Sequence, residues 1–341
     1  MNFSVQFKVR GDDFGGHFIN GISMADSESF WKCKLVSADD EKNVYESSDG
    51  YKITAYHIKK GDVFECYTVF ENNTDSVVTL DMISSFAITD LDFDTLHRAT
   101  SFWSAEGKML SQKLTDLNME RSWSGHGIRI EKFGQVGSMP VRKWFPFVAI
   151  ENSEKNEFIG VQLYIPSSWQ IELFRHKEPL TLLGGLADFD YGHWCKEIKP
   201  NESFTTPKAV VAVGDSLLKV CDMLVKAQQP DISPVDEDLP VIFNEYCTSW
   251  GNPTIENLEK TAKKLQGSGV KYLVMDSGWY KEDGKEWWDT IGDWNVNKSQ
   301  FPDGLKPVCD MIKSYGLIPG IWFEMENVAP LSAIYNETDH L

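Results

Sequence analysis

Apolar and polar residues alternate along the opening stretch, Met1-Asn2-Phe3-Ser4-Val5-Gln6-Phe7-Lys8-Val9-Arg10. That period of two predicts a first strand with one face turned inward. The stretch lacks the charged start, long apolar core and small-residue cleavage site of a signal peptide. Residues 63–70 and 77–83 are again rich in β-formers, and Asn72-Asn73 between them supplies turn chemistry, which predicts a hairpin. Further β-rich runs follow at 147–150, 158–165 and 209–213. So many short strands over about 200 residues predict a large antiparallel sandwich across residues 1–228.

The period changes near residue 216. Leu217, Leu218, Cys221, Leu224 and Val225 fall at helical spacing, and residues 229–240, polar and interrupted by three prolines, read as a linker. Strands and helices then alternate. A strand over 241–246 precedes a helix that starts near Thr254, carries Leu258, Ala262 and Leu265 on one face, and stops at Gly267 or Gly269. A second strand over 270–275 leads through a long loop to a helix with Leu305, Val308 and Ile312 on one face, ending at Gly316, and then to a third strand over 317–323. This βαβαβ order predicts parallel strands with right-handed crossovers. The GxGxxG mark of a dinucleotide-binding sheet is absent, so a (β/α)₈ barrel is preferred. A complete barrel needs about 250 residues. Only about 100 follow the linker, and they finish without a closing element, so residues 241–341 are expected to be the start of a barrel within a longer polypeptide.

Composition narrows the class. With 341 residues, 42% hydrophobic and 25% charged, the chain suits a globular protein of two domains. A formal net charge of -18 repels a phosphate backbone, so nucleic acid is not an expected partner. No apolar run approaches the roughly 20 residues of a membrane span. The six cysteines are far apart with no CxxC pair, which argues for reduced thiols in a cytoplasmic protein rather than a zinc knuckle or disulfide framework.

Barrel chemistry sits at the carboxyl ends of the strands. There the sequence places Asn244-Glu245-Tyr246-Cys247, Asp276-Ser277-Gly278-Trp279-Tyr280 and Trp322-Phe323-Glu324-Met325-Glu326-Asn327. Each cluster couples a carboxylate to an aromatic ring. Carboxylates accept hydrogen bonds from sugar hydroxyls, and aromatic faces cover the apolar side of a sugar ring. The alternative is structural: Asp276 caps a turn before Gly278, while Trp322 and Phe323 fill a core. Glu324 and Glu326, two apart, share one face of an extended chain and suit either a polar subsite or a solvated rim. The loop from Ser277 to Gln300 carries Trp279, Tyr280, Trp287, Trp288 and Trp294, with Asp289 and Asp293 among them, and serves either function or packing. His126 and His193 have no partner at metal-ligand spacing, and Gly184-Gly185 lacks the GK[ST] ending of a phosphate loop.

Taken together with Leu96-His97-Arg98, Asn201-Glu202-Ser203-Phe204-Thr205-Thr206-Pro207, Gly292-Asp293-Trp294, Phe301-Pro302-Asp303-Gly304-Leu305-Lys306 and Gly320-Ile321-Trp322-Phe323-Glu324-Met325-Glu326, these clusters give the chain an extended resemblance. It resembles the family 36 glycoside hydrolases, bacterial α-galactosidases and relatives that pair an N-terminal β-supersandwich with a catalytic (β/α)₈ barrel and a C-terminal β domain. The resemblance implies a multidomain β and α/β protein: an antiparallel β-supersandwich followed by the first three β/α units of the barrel. It also implies substrate-binding roles for Tyr246, Asp276, Ser277, Trp322 and Glu324, with Asp276 on hydroxyls of the terminal sugar and Trp322 against its ring. Tyr246 stands where the family usually has Trp, Ser277 replaces the second Asp of an Asp-Asp pair, and Met325 replaces a Pro. An α-N-acetylgalactosaminide therefore joins the α-galactosides as a candidate substrate.

The family's retaining mechanism uses one Asp as nucleophile and another as acid/base. Neither has a counterpart here, so no catalytic residue is assigned within the chain, which alone is expected to be inactive. The implied partner is an oligosaccharide or other glycoside, without cofactor or metal and without membrane or nucleic acid; homo-oligomerisation is left open. Two rival readings remain at this stage: a non-catalytic sugar-binding or scaffold protein complete as given, and a transglycosylase on the same fold.

Overall fold

The structure, a computed structural model, describes residues 1–13, 19–120, 127–176, 180–228, 232–235, 237–337 and 339. The chain divides into two compact units, Met1–Gln229 and Pro230–Leu341.

The first unit is built on two antiparallel sheets. A seven-stranded sheet runs in the order Asn2–Ser4, Val78–Leu91, Leu180–Leu186, Trp169–His176 and Ile128–Gln135, with Phe7–Val9 and Lys196–Ile198 also on the long strand Val78–Leu91. A ten-stranded sheet runs from Cys33–Ala38 through Tyr51–Lys60, Val63–Asn72, Ala209–Gly214, Glu157–Leu163 and Phe147–Asn152 to Lys108–Lys113. Buried residues of both sheets, among them Ile88, Trp169, Ile171 and Leu182 from one and Leu96, Val148, Ile150, Val161 and Val211 from the other, form one core. Alternating side chains of two facing sheets thus supply a sandwich interior.

Several sequence expectations need correction here. The hairpin expected around Asn72-Asn73 does not form, because Val63–Asn72 is already paired on both edges. Tyr51–Lys60 occupies one edge, and Ala209–Gly214 with Ser203–Thr205 occupies the other. The buried Asn72 amide instead donates to the carbonyls of Ser76 (2.8 Å) and Ile198 (2.9 Å), holding a connection that crosses to the other sheet. The hairpin lies one strand earlier, between Tyr51–Lys60 and Val63–Asn72. The expected first strand is two, Asn2–Ser4 and Phe7–Val9, both on Val78–Leu91. Helix Leu217–Ala227, capped by Ser216, buries Val220, Met223 and Leu224, whereas Leu218 and Val225 are 80% and 65% exposed. It packs where Gly160 leaves room: a Cβ there would lie 3.0 Å from Val220.

Gly184 and Gly185 lie inside the strand Leu180–Leu186. His193 follows the short helix Phe189–Gly192 in a left-handed conformation, its ring edge-on to Phe189. His126 lies outside the described residues. The six cysteines are unpaired thiols. No helix among the described residues is long and apolar enough to cross a membrane.

The second unit holds three parallel strands, Val241–Asn244, Val270–Met275 and Ile318–Ile321, in that order. The first and third are shorter than expected, because the short helix Tyr246–Ser249 follows the first at once and the third ends at Ile321. Helix Ile255–Leu265 is capped by Thr254, whose hydroxyl accepts the Asn257 N–H at 3.2 Å; helix Lys306–Ser314 has a proline in its first turn. Leu258 and Ala262 of one helix, Val308 and Ile312 of the other, and Leu273 and Met275 of the middle strand share a core with Phe301 and Leu317. Both helices therefore cover one face of the sheet.

By strand alternation the opposite face carries Ile242, Asn244, Tyr272, Val274, Ile318 and Gly320. It is apolar, yet Ile242 is 59% and Ile318 39% exposed. Gly320 fits beside Val274, where a Cβ would meet the valine methyl at 2.8 Å.

Candidate functional site

The carboxyl ends of the three strands converge because ladder hydrogen bonds run one residue past the ends of the first and the third. The Glu245 N–H donates to Val274 O (3.1 Å) and the Trp322 N–H to Met275 O (3.0 Å). Asn244, Asp276 and Trp322 follow the alternation of the face opposite the helices. Asp276 is 9% exposed. Its Oδ2 accepts from Asn244 Nδ2 at 2.6 Å and its Oδ1 from the Ser277 N–H at 2.6 Å, while its own N–H donates to Glu245 Oε1 at 3.1 Å. A carboxylate offers about four acceptor positions, and the two side-chain bonds found among the described residues use two of them. Asp276 thus makes the turn contact anticipated for it and keeps acceptor capacity besides.

Gly278 allows this turn. It has φ +97°, and a Cβ there would sit 2.0 Å from the Gly251 carbonyl oxygen. Ser277 is fully buried and its Oγ has no hydrogen-bond partner among the described residues. With no exposed surface, it has nothing to present to a sugar in this arrangement.

Around Asp276 the aromatic residues pack on one another. Trp279 donates its indole N–H to Trp322 O at 3.1 Å and stacks on Trp294 at 6.1 Å. The half-buried Trp322 meets Trp287 and Trp294 edge to face at 6.1 and 6.2 Å, and Trp287 in turn meets Tyr246 at 6.1 Å. Tyr246 lies on the short helix, its N–H bound to Asn244 Oδ1 at 2.9 Å. Tyr246 and Trp322 are thereby joined through Trp287. Gly251 makes room for that indole, since a Cβ would lie 2.2 Å from it.

Glu324 follows the third strand and exchanges a side-chain hydrogen bond with Glu326; this bond, with partial burial, raises the Glu324 carboxyl above the usual range. Tyr280 is buried, and its hydroxyl is pushed up by burial and by the charges of Asp276 and Glu324. Glu245 is 2% exposed; burial first, and the Asp276 charge in addition, raise its carboxyl. The aspartates of the long loop are structural: Asp293 accepts the Ala333 and Ile334 N–H groups, and Asp289 closes a capping box with Glu286. No group of three or more metal-ligating side chains occurs among the described residues.

Asn244 and Glu245 were not among the substrate-binding candidates, although the end of a parallel strand is the place to find them. Their signal is positional: only the register of the first strand on the second shows that they face Asp276.

The chain is similar to known proteins in sequence and in fold. Residues 203–340 match the Melibiase family model. α-Galactosidase Mel36A of Lactobacillus acidophilus is 25% identical over 233 residues, covering 65% of this chain and 31% of that protein. α-Galactosidase AgaA of Geobacillus stearothermophilus is 28% identical over 162 residues, covering 45% of this chain and 21% of that protein. The chain thus spans a third or less of these two relatives. Among solved structures, the GH36 α-galactosidase AgaB of Geobacillus stearothermophilus superposes with a TM-score of 0.72 at 18% identity, over 99% of this chain and 47% of that one. A variant of AgaA in complex with raffinose gives 0.75 at 18% identity, over 98% and 47%. In sequence over part of its length, and in fold over nearly all of it, the chain is similar to the family 36 α-galactosidases.

Proposed function

We propose that this chain is part of a retaining α-glycosidase acting on terminal α-galactosides or α-N-acetylgalactosaminides of oligosaccharides. Residues 1–228 form its β-supersandwich, residues 229–240 its linker, and residues 241–341 the first three β/α units of its (β/α)₈ barrel. The observation that carries this reading is the uncovered face of the parallel sheet. Parallel sheets are covered on both faces, and here helices cover one while Ile242 and Ile318 remain exposed on the other. Five further strands closing the sheet would bury that face as a barrel interior and bring Asn244, Asp276 and Trp322 to its mouth.

In this arrangement Asp276 accepts hydroxyls of the terminal sugar, Trp322 with Tyr246 forms the aromatic wall, and Glu324 lines the rim. Ser277 supports the turn that holds Asp276 and leaves the sugar to its neighbours. The nucleophile and acid/base, whose carboxyls stand about 5–5.5 Å apart in a retaining enzyme, are assigned to residues beyond 341. Glu324 and Glu326 are not assigned as that pair: the Glu324 carboxylate is engaged by the Glu326 N–H at 3.1 Å.

The test is hydrolysis of an aryl α-galactoside and of an aryl α-N-acetylgalactosaminide by the complete encoded polypeptide, followed by proton NMR of the first product. Release of the α anomer is expected. Failure to cleave either aryl α-glycoside, or release of the β anomer first, would overturn the proposal.

A further inference from the structure

Among the carboxyls at the strand ends, Glu245 is the most enclosed, at 2% exposure, and it has no role in the sugar contacts proposed above. Its backbone is fixed by the bond from its N–H to Val274 O, and its Thr248 neighbour ties the following turn to the Glu245 carbonyl (Oγ1 to O, 2.6 Å). Its side chain reaches across to the second strand, where Oε1 accepts the Asp276 main-chain N–H at 3.1 Å. The preceding residue holds the other end of the same aspartate, Asn244 Nδ2 to Oδ2 at 2.6 Å. Two consecutive residues of the first strand's end therefore grip both the main chain and the carboxylate of Asp276. The turn adds the Ser277 N–H on Oδ1 at 2.6 Å, while the buried Ser277 Oγ has no hydrogen-bond partner among the described residues, so the side chains that hold Asp276 come from the neighbouring strand's end.

Burying a carboxyl is costly unless it is well bonded, and the Glu245 carboxyl lies beside a second one. We infer that Glu245 is a positioning residue for Asp276: by accepting the residue 276 N–H it sets where the Asp276 carboxylate stands, and the substrate senses Glu245 only through Asp276. This rests on the sugar-site reading of Asp276.

A double-mutant cycle on kcat/KM for an aryl α-galactoside, with the complete encoded polypeptide, tests it. Glu245→Ala is expected to lower kcat/KM about tenfold. Glu245→Gln, whose amide oxygen still accepts the N–H, should restore it to within about threefold of wild type. In the Asp276→Ala background, Glu245→Ala should cost nothing further. Circular dichroism checks folding; if the alanine variant is unfolded, Glu245→Met, which fills the space without accepting a hydrogen bond, takes its place in the cycle. Additive losses, or an unaltered kcat/KM in the folded Ala or Met variant, would overturn the positioning role while leaving the sugar site standing. Absence of hydrolysis by the wild type, or an Asp276→Ala variant with full activity, would overturn the sugar-site reading and this inference with it.

Discussion

Glu172 sits fully buried in the seven-stranded sheet, its Oε1 accepting the Ser23 hydroxyl at 2.6 Å and its Oε2 3.3 Å from Lys132 Nζ. The same ammonium lies 2.8 Å from Asp188 Oδ2, so one cation faces two buried carboxyls. Burial raises the Glu172 carboxyl above its ordinary 4.5, with the Asp188 charge acting in the same direction. For a carboxyl raised by folding, the favourable contribution is complete below the unfolded value and is lost as pH climbs through the folded one, because the native state must release a proton it prefers to keep. Glu172→Gln removes that proton. The variant should therefore gain stability relative to wild type on going from about pH 4 to about pH 7, read as the difference between urea midpoints. An equal difference at both pH values would show that folding leaves the Glu172 carboxyl unshifted, and a relative loss of stability by the variant would show that it is held ionised in the native state. Nothing in the sequence marks this group, because Lys132, Glu172 and Asp188 come together only through the pairing of separate strands.

Helix Leu217–Ala227 shows what periodicity reveals and what it leaves open. Its existence and its Ser216 cap follow from the spacing and type of residues, yet apolar residues surround so much of it that two faces compete, and the strand beneath decides. Gly160 admits Val220, and Leu218 is turned to solvent. Val220→Glu should cost about 3 kcal/mol or more, since it buries a charge, whereas Leu218→Glu should stay within about 0.5 kcal/mol. Urea denaturation followed by circular dichroism separates them, and equal losses would contradict the observed face. The hairpin expected at Asn72-Asn73 failed for a related reason: local turn chemistry was read correctly, but the partner of a strand depends on which edges remain free, and Ser203–Thr205 and Ala209–Gly214 arrive from more than 130 residues away to fill them. The three parallel strands were legible because each is bounded by helix signals of its own, with only their ends misjudged by one or two residues.

For the molecule as a whole, the two periods in the sequence correspond to an antiparallel sandwich and a parallel three-stranded sheet, and the candidate site residues lie at the carboxyl end of the second. The positions of Asp276 and Trp322 could be read from strand ends alone; the burial of Ser277 and the grip of Asn244 and Glu245 on Asp276 required the register. The central claim is that these strand ends form a sugar site. Its most direct test is Asp276→Ala in the complete encoded polypeptide, assayed on its best α-glycoside with thermal stability measured alongside. Each charge-assisted hydrogen bond to a hydroxyl is worth about 1.5–3 kcal/mol, so kcat/KM should fall about ten- to hundredfold per lost bond while the fold persists. A folded variant with unchanged kcat/KM, its damage confined to a lower Tm, would show that Asp276 only braces a turn and would contradict the account.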